Sequence, residues 1–204
     1  MTATIPYRPT AIRSLAALAA LALLGACATA APPPNQANAC AILDHRGSWE
    51  DHVFDAAREW GISPGTILAF MRQESGFRRD ARPRDSRGRL RSSALGFSQA
   101  LDGTWREYVE ARGRASRKDF EDSADFIGWY LDRISRQTGI AKSDVRNLYL
   151  AYHEGPTGWQ RRTHQSKGWL LEVANRVQSQ AAQYDTQLRG CERGQMRRWQ
   201  RAAT

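Results

Sequence analysis

One glutamate in this 204-residue sequence stands where a carboxyl can be turned into a useful acid. In the run Ile67-Leu-Ala-Phe-Met-Arg-Gln-Glu74-Ser75-Gly76, Glu74 follows Met71 by three residues and Ile67 by seven. At helical spacing that puts it on or beside the apolar stripe. A carboxyl against an apolar face loses hydration, so its neutral form is favoured and its pKa rises. A glutamic acid still protonated near neutral pH is what protonation of a leaving glycosidic oxygen requires. Periodicity alone favours a solvent-facing glutamate at a helix end, and only the motif context turns the reading toward an acid. Most glycosidases use two carboxyl groups, and the candidates for a second are Asp85, Asp102 and Glu154. Asp85 falls in an arginine-rich segment, Asp102 reads as a helix cap, and Glu154 reads first as the structural partner of a nearby arginine.

Other chemistries find no support in the spacing. His153-Glu154 opens like the zinc motif H-E-x-x-H, but position 157 is threonine. His45, His52 and His164 are scattered, and Cys27, Cys40 and Cys191 form neither a CxxC pair nor a four-ligand set. Ser75, Ser92, Ser93 and Ser98 lack a G-x-S-x-G setting. The sequence therefore calls for no metal and no organic cofactor. Of the seven tryptophans, Trp159 and Trp169 flank Arg161-Arg162-Thr163-His164, and one of them is a candidate for stacking on a sugar.

Three short segments occur in a fixed order: Glu74-Ser75-Gly76, Ala94-Leu95-Gly96-Phe97-Ser98-Gln99 and Leu150-Ala151-Tyr152-His153-Glu154-Gly155. The trio resembles the Slt-type lytic transglycosylases, relatives of goose-type lysozyme, which carry Glu-Ser, Gly-Leu-Met-Gln and Ala-Tyr-Asn. The resemblance spans about residues 50–165 and extends less specifically to the last helix. It implies an all-α, lysozyme-like domain with a cleft and long loops, acting on peptidoglycan glycan strands. By the same resemblance Glu74 corresponds to a single acid/base and Ser75 to a residue positioning groups near the reacting sugar. Gly96 and Gln99 match the cleft-lining second motif, and Tyr152 the tyrosine hydrogen-bonding near the acid. Phe97 and Ser98 replace Leu-Met, while His153 and Glu154 replace the usual Asn-Ala; Phe97, Ser98 and Glu154 remain candidate substrate contacts. The implied reaction cleaves the MurNAc–GlcNAc β-1,4 bond and leaves a 1,6-anhydromuramyl end. Lysozyme-like hydrolysis and a non-catalytic wall-binding protein are the alternatives.

The elements that must position these residues read as helices almost throughout. Ser48 opens a helix containing Val53, Phe54, Ala57 and Trp60, with Gly61 as its stop. Ser63 and Pro64 open the helix that ends at Glu74. Asp102 caps a third helix, Lys118 to Gln137 forms a fourth and Ser143 caps a fifth. The last carries Leu170, Val173, Val177, Ala181, Tyr184 and Leu188 in one stripe. No segment alternates with period two, and no repeat is present. The long irregular stretch is Gly76 to Ser93, with seven arginines and two glycines; such a connection in a small domain suggests a groove-flanking loop.

The N-terminus reads as an address. Arg8 and Arg13 precede the uncharged run from Leu15 to Leu24, as in a secretory signal; a membrane span would need about 20 apolar residues. Leu24-Gly25-Ala26-Cys27 resembles a lipobox with Cys27 as the lipidated residue, while Ala28-Thr29-Ala30 offers ordinary cleavage as the alternative. The division expected is a signal at 1–26, a Pro-rich tether at 27–39 and the catalytic domain at 40–204. Cys40 and Cys191 then remain near the two ends of the domain, either bridged in an oxidising compartment or as free thiols. The expected location is the periplasm, membrane-anchored, with the outer membrane favoured because Ala28 is not Asp; a soluble periplasmic protein is the alternative. The whole chain carries +9. With export, that charge points to an acidic wall polymer and an anionic membrane surface and away from nucleic acid.

Overall fold

The computed structural model describes the backbone of residues 31–202 and the side chains of residues 31–191. The signal segment and Cys27 lie outside the described residues. Residues from Pro32 onward form one compact unit. Seven α-helices make it up: α1 (Ala39–Asp44), α2 (Trp49–Trp60), α3 (Pro64–Ser75), α4 (Asp102–Arg112), α5 (Phe120–Thr138), α6 (Val145–Gln160) and α7 (Gly168–Ala202). A 3-10 turn at Thr163–Ser166 joins the last two. Only two isolated antiparallel bridges, Arg84 with Leu90 and Leu95 with Ala100, depart from this all-α pattern among the described residues. No helix among them is long and apolar enough to cross a membrane.

Helix α3 is the centre of the packing. Ser63 accepts a hydrogen bond from the Thr66 N–H, Pro64 occupies the first turn, and left-handed Gly76 ends the helix. Residues 65–71 are buried without interruption, so α3 has no polar stripe over two turns and must be surrounded. It packs chiefly on α7, with α2 and α5 on other sides. The crossing with α7 is close enough that a Cβ on Gly65 would collide with the Ala181 carbonyl and the Asp185 carboxylate. That carboxylate accepts from the Gly65 N–H and the Ser63 hydroxyl, both at 2.8 Å. Thus α7 both covers α3 and satisfies its first turn. The stripe expected on α7 is buried in full, from Leu170 to Leu188.

Several helix starts differ from their sequence reading. Ser48 holds the N-cap position of α2 without a side-chain bond. Asp144 rather than Ser143 caps α6, accepting from the Asn147 N–H. Asp102 is the first residue of α4, not its cap, and its carboxylate pairs with Arg117 at 2.7 Å. The partner Arg117 lies in a loop 15 residues away, beyond any local rule for capping.

The segment read as a tether is, over its second half, part of the domain. Pro33 and Ala39 are buried. Gln187 on α7 accepts from the Ala39 N–H at 2.8 Å and donates to the Ala37 carbonyl at 3.1 Å, while Tyr184 donates to the Gln36 carbonyl. Composition marks this stretch as loop, but side chains from α7 supply the partners its extended backbone lacks. Next to it, Cys40 and Cys191 form a disulfide, Cα–Cα 5.9 Å, across 151 residues of sequence. In the chain-entropy model a loop that long gives on the order of 5 kcal/mol. Cys40→Ser is expected to lower stability by up to about that amount, and a thermal scan with and without reductant should show the same loss in the parent.

Candidate active site

Glu74 lies in the last turn of α3, facing α6. Phe70, one turn earlier, meets Tyr149 and Tyr152 of α6 edge-on, with centroids 5.2 and 5.3 Å away, and Tyr130 of α5 meets Tyr152 at 5.2 Å. Two of these rings, Tyr149 and Tyr152, lie near the Glu74 carboxyl. Burial pushes the Glu74 pKa up from 4.5 to about 7, against a hydrogen bond from Tyr149 that pulls it down. Tyr149 itself is raised by burial first and then by the Glu74 charge. At neutral pH the carboxyl is thus poised between its acid and base forms, with one donor directing it.

Tyr152 is also close enough to feel the charge of Glu74, after a larger effect of burial. Its hydroxyl, however, donates to the Ser98 carbonyl at 2.6 Å. The tyrosine bonded to Glu74 is Tyr149, which the motif comparison did not single out. Its signal was available: three residues before Tyr152, it lies on the same helical face. The Tyr152–Ser98 bond joins the third segment to the second, so all three motif segments meet around the end of α3.

The second segment is mainly a built loop. Gly96 has φ 76°, and a Cβ there would strike the Arg117 carbonyl. Gln99, at φ 51°, turns its side-chain amide inward to the carbonyls of Ala81 (2.9 Å) and Gly96 (2.8 Å). Arg117 donates to the Ser93 and Ala100 carbonyls, both at 3.0 Å, and pairs with Asp102. Phe97 is buried against Trp49 and Phe120, meeting both rings edge-on. Ser98 is fully buried, its hydroxyl without a partner. Ser75 is buried too, its hydroxyl donating to the Met71 carbonyl at 3.0 Å. The side chains of Ser75, Phe97 and Ser98 therefore support the loop and helix end and do not present themselves to a ligand.

Each candidate second acid is engaged elsewhere. Asp85 accepts from the Arg87 and Arg89 N–H groups and holds a turn. Asp102 is bound to Arg117. Glu154 is buried; burial raises its pKa, but bonds from Lys167 (2.6 Å), Thr163 and His153 outweigh this and hold it at about 2. Its partner is a lysine, not the expected arginine, because the kink at Gly155 and Pro156 and the following 3-10 turn bring Lys167 back across α6. Trp159 stacks on buried His164, which leaves Trp169, 56% exposed, as the open ring of that pair. A pocket of about 240 Å³ between α2, α4 and α5 contains neither Glu74 nor any motif residue. Its charges are largely paired, Arg112 with Glu59 at 2.7 Å and with Asp125 at 3.2 Å. No group of three or more possible metal ligands is assembled among the described residues.

A helical domain whose converging segments surround one glutamate has the layout of lysozyme-like enzymes. The family model described as "Transglycosylase SLT domain" matches residues 15–191, and the chain belongs to that family, whose members act on peptidoglycan. No curated protein matches the chain.

The raised pKa of Glu74 has a cost with a definite sign. Between pH 4.5 and about 7 the folded chain keeps a proton that the unfolded chain releases, so stability from this group is full below 4.5 and falls as pH rises through 7. A shift of that size is about 3 kcal/mol. Glu74→Gln should therefore be more stable than the parent at pH 8, by at most about that amount, with the difference vanishing near pH 4. Urea unfolding at both pH values measures it; equal differences at the two would remove the buried-acid assignment.

Proposed function

We propose that the chain is a peptidoglycan lytic transglycosylase that cleaves the MurNAc–GlcNAc β-1,4 bond with Glu74 as its only acid/base and leaves 1,6-anhydromuramyl ends. The observation that carries this reading is the partly buried Glu74 carboxyl, where the three motif segments meet, its pKa pushed up to about 7 by desolvation against a hydrogen bond from Tyr149. Protonated Glu74 gives its proton to the glycosidic oxygen as the bond to the muramyl C1 breaks. The N-acetyl oxygen of the same sugar stabilises the charge that develops at C1. Glu74, now a carboxylate, takes the proton of the C6 hydroxyl while that oxygen closes on C1. The acid is regenerated and no water is consumed. The commitments of Asp85, Asp102 and Glu154 fit a reaction that needs no second carboxylate.

Mass spectrometry of digested cell wall tests the reaction. Anhydro ends are expected from the parent, with loss of at least about a hundred-fold in rate for Glu74→Gln. The rate should fall as pH rises above 7, where the acid form is lost. Reducing ends in place of anhydro ends would assign hydrolysis instead, and unaltered binding without cleavage would assign a wall-binding protein.

The reading includes export to the periplasm with lipid at Cys27 and attachment to the outer membrane. It is supported by the small residues Gly25 and Ala26 before Cys27, by Ala28 after it, and by the Cys40–Cys191 disulfide, which needs an oxidising compartment. The intact mass of the mature protein should correspond to a chain beginning at an acylated Cys27. The mass of an unlipidated chain beginning at Ala31, after the Ala28-Thr29-Ala30 site, would assign the soluble form.

A further inference from the structure

The connection between α3 and α4 carries more positive charge than its own structure uses. Residues 78–91 hold seven arginines against two aspartates, Asp80 and Asp85. Asp85 makes the segment a fixed hairpin. Its backbone N–H donates to the Arg89 carbonyl, and its carboxylate accepts from the N–H groups of Arg87 and Arg89 and from the Arg89 side chain, all within 2.9 Å. The Arg91 N–H closes the hairpin onto the Pro83 carbonyl at 3.0 Å. Four arginines have partners within the fold: Arg78 with the Ser75 carbonyl, Arg79 with Asp80, Arg84 with the Gly88 carbonyl and Arg89 with Asp85. Arg82, Arg87 and Arg91 are exposed, and their side chains make no hydrogen bond or ion pair among the described residues.

The hairpin is joined at its base to the segments around Glu74. It begins two residues after Gly76, and the Ala81 carbonyl accepts from the Gly96 N–H at 3.0 Å and from the Gln99 amide at 2.9 Å. Arg91 also acts on the Asp85 carboxylate without pairing with it, but three exposed guanidinium groups on one short, ordered hairpin leave an excess of positive charge that an external anion neutralises. Guanidinium forks match carboxylates in a bidentate manner. Resting on the peptidoglycan reading, we propose that Arg82, Arg87 and Arg91 form a docking surface for the carboxylates of the stem peptides on the glycan strand being cut. The attachment to the second motif favours this partner, because a strand that passes Glu74 carries its peptides past the hairpin. Leu90, 50% exposed between Arg89 and Arg91, is the feature that a lipid surface would use instead.

The test uses the full chain carrying Glu74→Gln, which leaves the polymer intact, and measures co-sedimentation with purified sacculi. Adding Arg82→Gln, Arg87→Gln and Arg91→Gln is expected to weaken binding about ten-fold at low salt, with the gap closing as salt rises. The corresponding triple lysine variant should retain most of the binding, and thermal scans should show all of these chains folded. On glycan strands stripped of their peptides, the chains with and without the arginines should bind alike. Equal binding of both to intact sacculi overturns the inference, as does an arginine effect that persists on stripped strands. Loss confined to phosphatidylglycerol vesicles overturns it in favour of the membrane. Failure of the parent to form anhydro ends would instead overturn the proposed reaction and leave this binding result standing.

Discussion

The carboxyl of Glu74 sits at the end of a helix with no solvent face over two turns, and its burial sets terms for the rest of the fold. Keeping water from a carboxyl costs about 3 kcal/mol when it ionises at neutral pH, from the size of its shift. The same helix buries Ile67, Leu68, Phe70 and Met71 completely. At roughly 2 kcal/mol for each such side chain, as an upper estimate, that burial exceeds the cost of the acid more than twofold. The helix can carry a destabilising group at its tip because its body is so thoroughly enclosed. This enclosure depends on α7, which crosses at Gly65, satisfies the start of α3 through Asp185 and holds the N-terminal segment in place through Tyr184 and Gln187. The disulfide fastens the far end of that arrangement.

Around the acid, the motif residues divide by what their side chains touch. Glu74, Tyr149 and Tyr152 face one another across α3 and α6. Gly96, Phe97, Ser98, Gln99 and Ser75 build the surfaces on which those three stand. A glycine in the second motif is required by the approach of the Arg117 carbonyl and by a positive φ, both backbone demands. The replacement of Leu-Met by Phe97-Ser98 is accommodated in the same way, since Phe97 fills an aromatic cluster with Trp49 and Phe120. Trp49 and Phe120 lie face to face at 3.9 Å, which makes the cluster a rigid floor for the loop.

The charge of the chain likewise separates into structural and unspent parts. Lys167, Arg112, Arg117 and Arg89 each neutralise a carboxylate that the fold brings to them. Of these, Lys167 neutralises the one that is nearly inaccessible, Glu154. Surface pairs of this kind contribute little individually, but a buried carboxylate without its cation would be costly. Arg82, Arg87 and Arg91, exposed and without an ion pair among the described residues, lie instead on the hairpin joined to the second motif.

Much of this architecture is legible in one dimension. The helices, the buried stripe of α7, the stop at Gly61 and the place of Glu74 beside an apolar face follow from a 3.6-residue period and from capping chemistry, which are local. The order of the three motifs carried the family, and the two cysteines near the domain ends carried the bridge. Tertiary structure decided the rest, because it concerns partners distant in sequence. How far Glu74 is desolvated depends on what α6 brings beside it, and Tyr149 rather than Tyr152 bonds to it while the Tyr152 hydroxyl is committed to the Ser98 carbonyl. Asp102 could not be told from a cap without Arg117, Glu154 needed Lys167 returning past a kink, and the Pro-rich stretch needed the side chains of α7 to become part of the domain. Period and capping act within a turn or two of helix. The pKa of a carboxyl is set by whatever the fold packs against it.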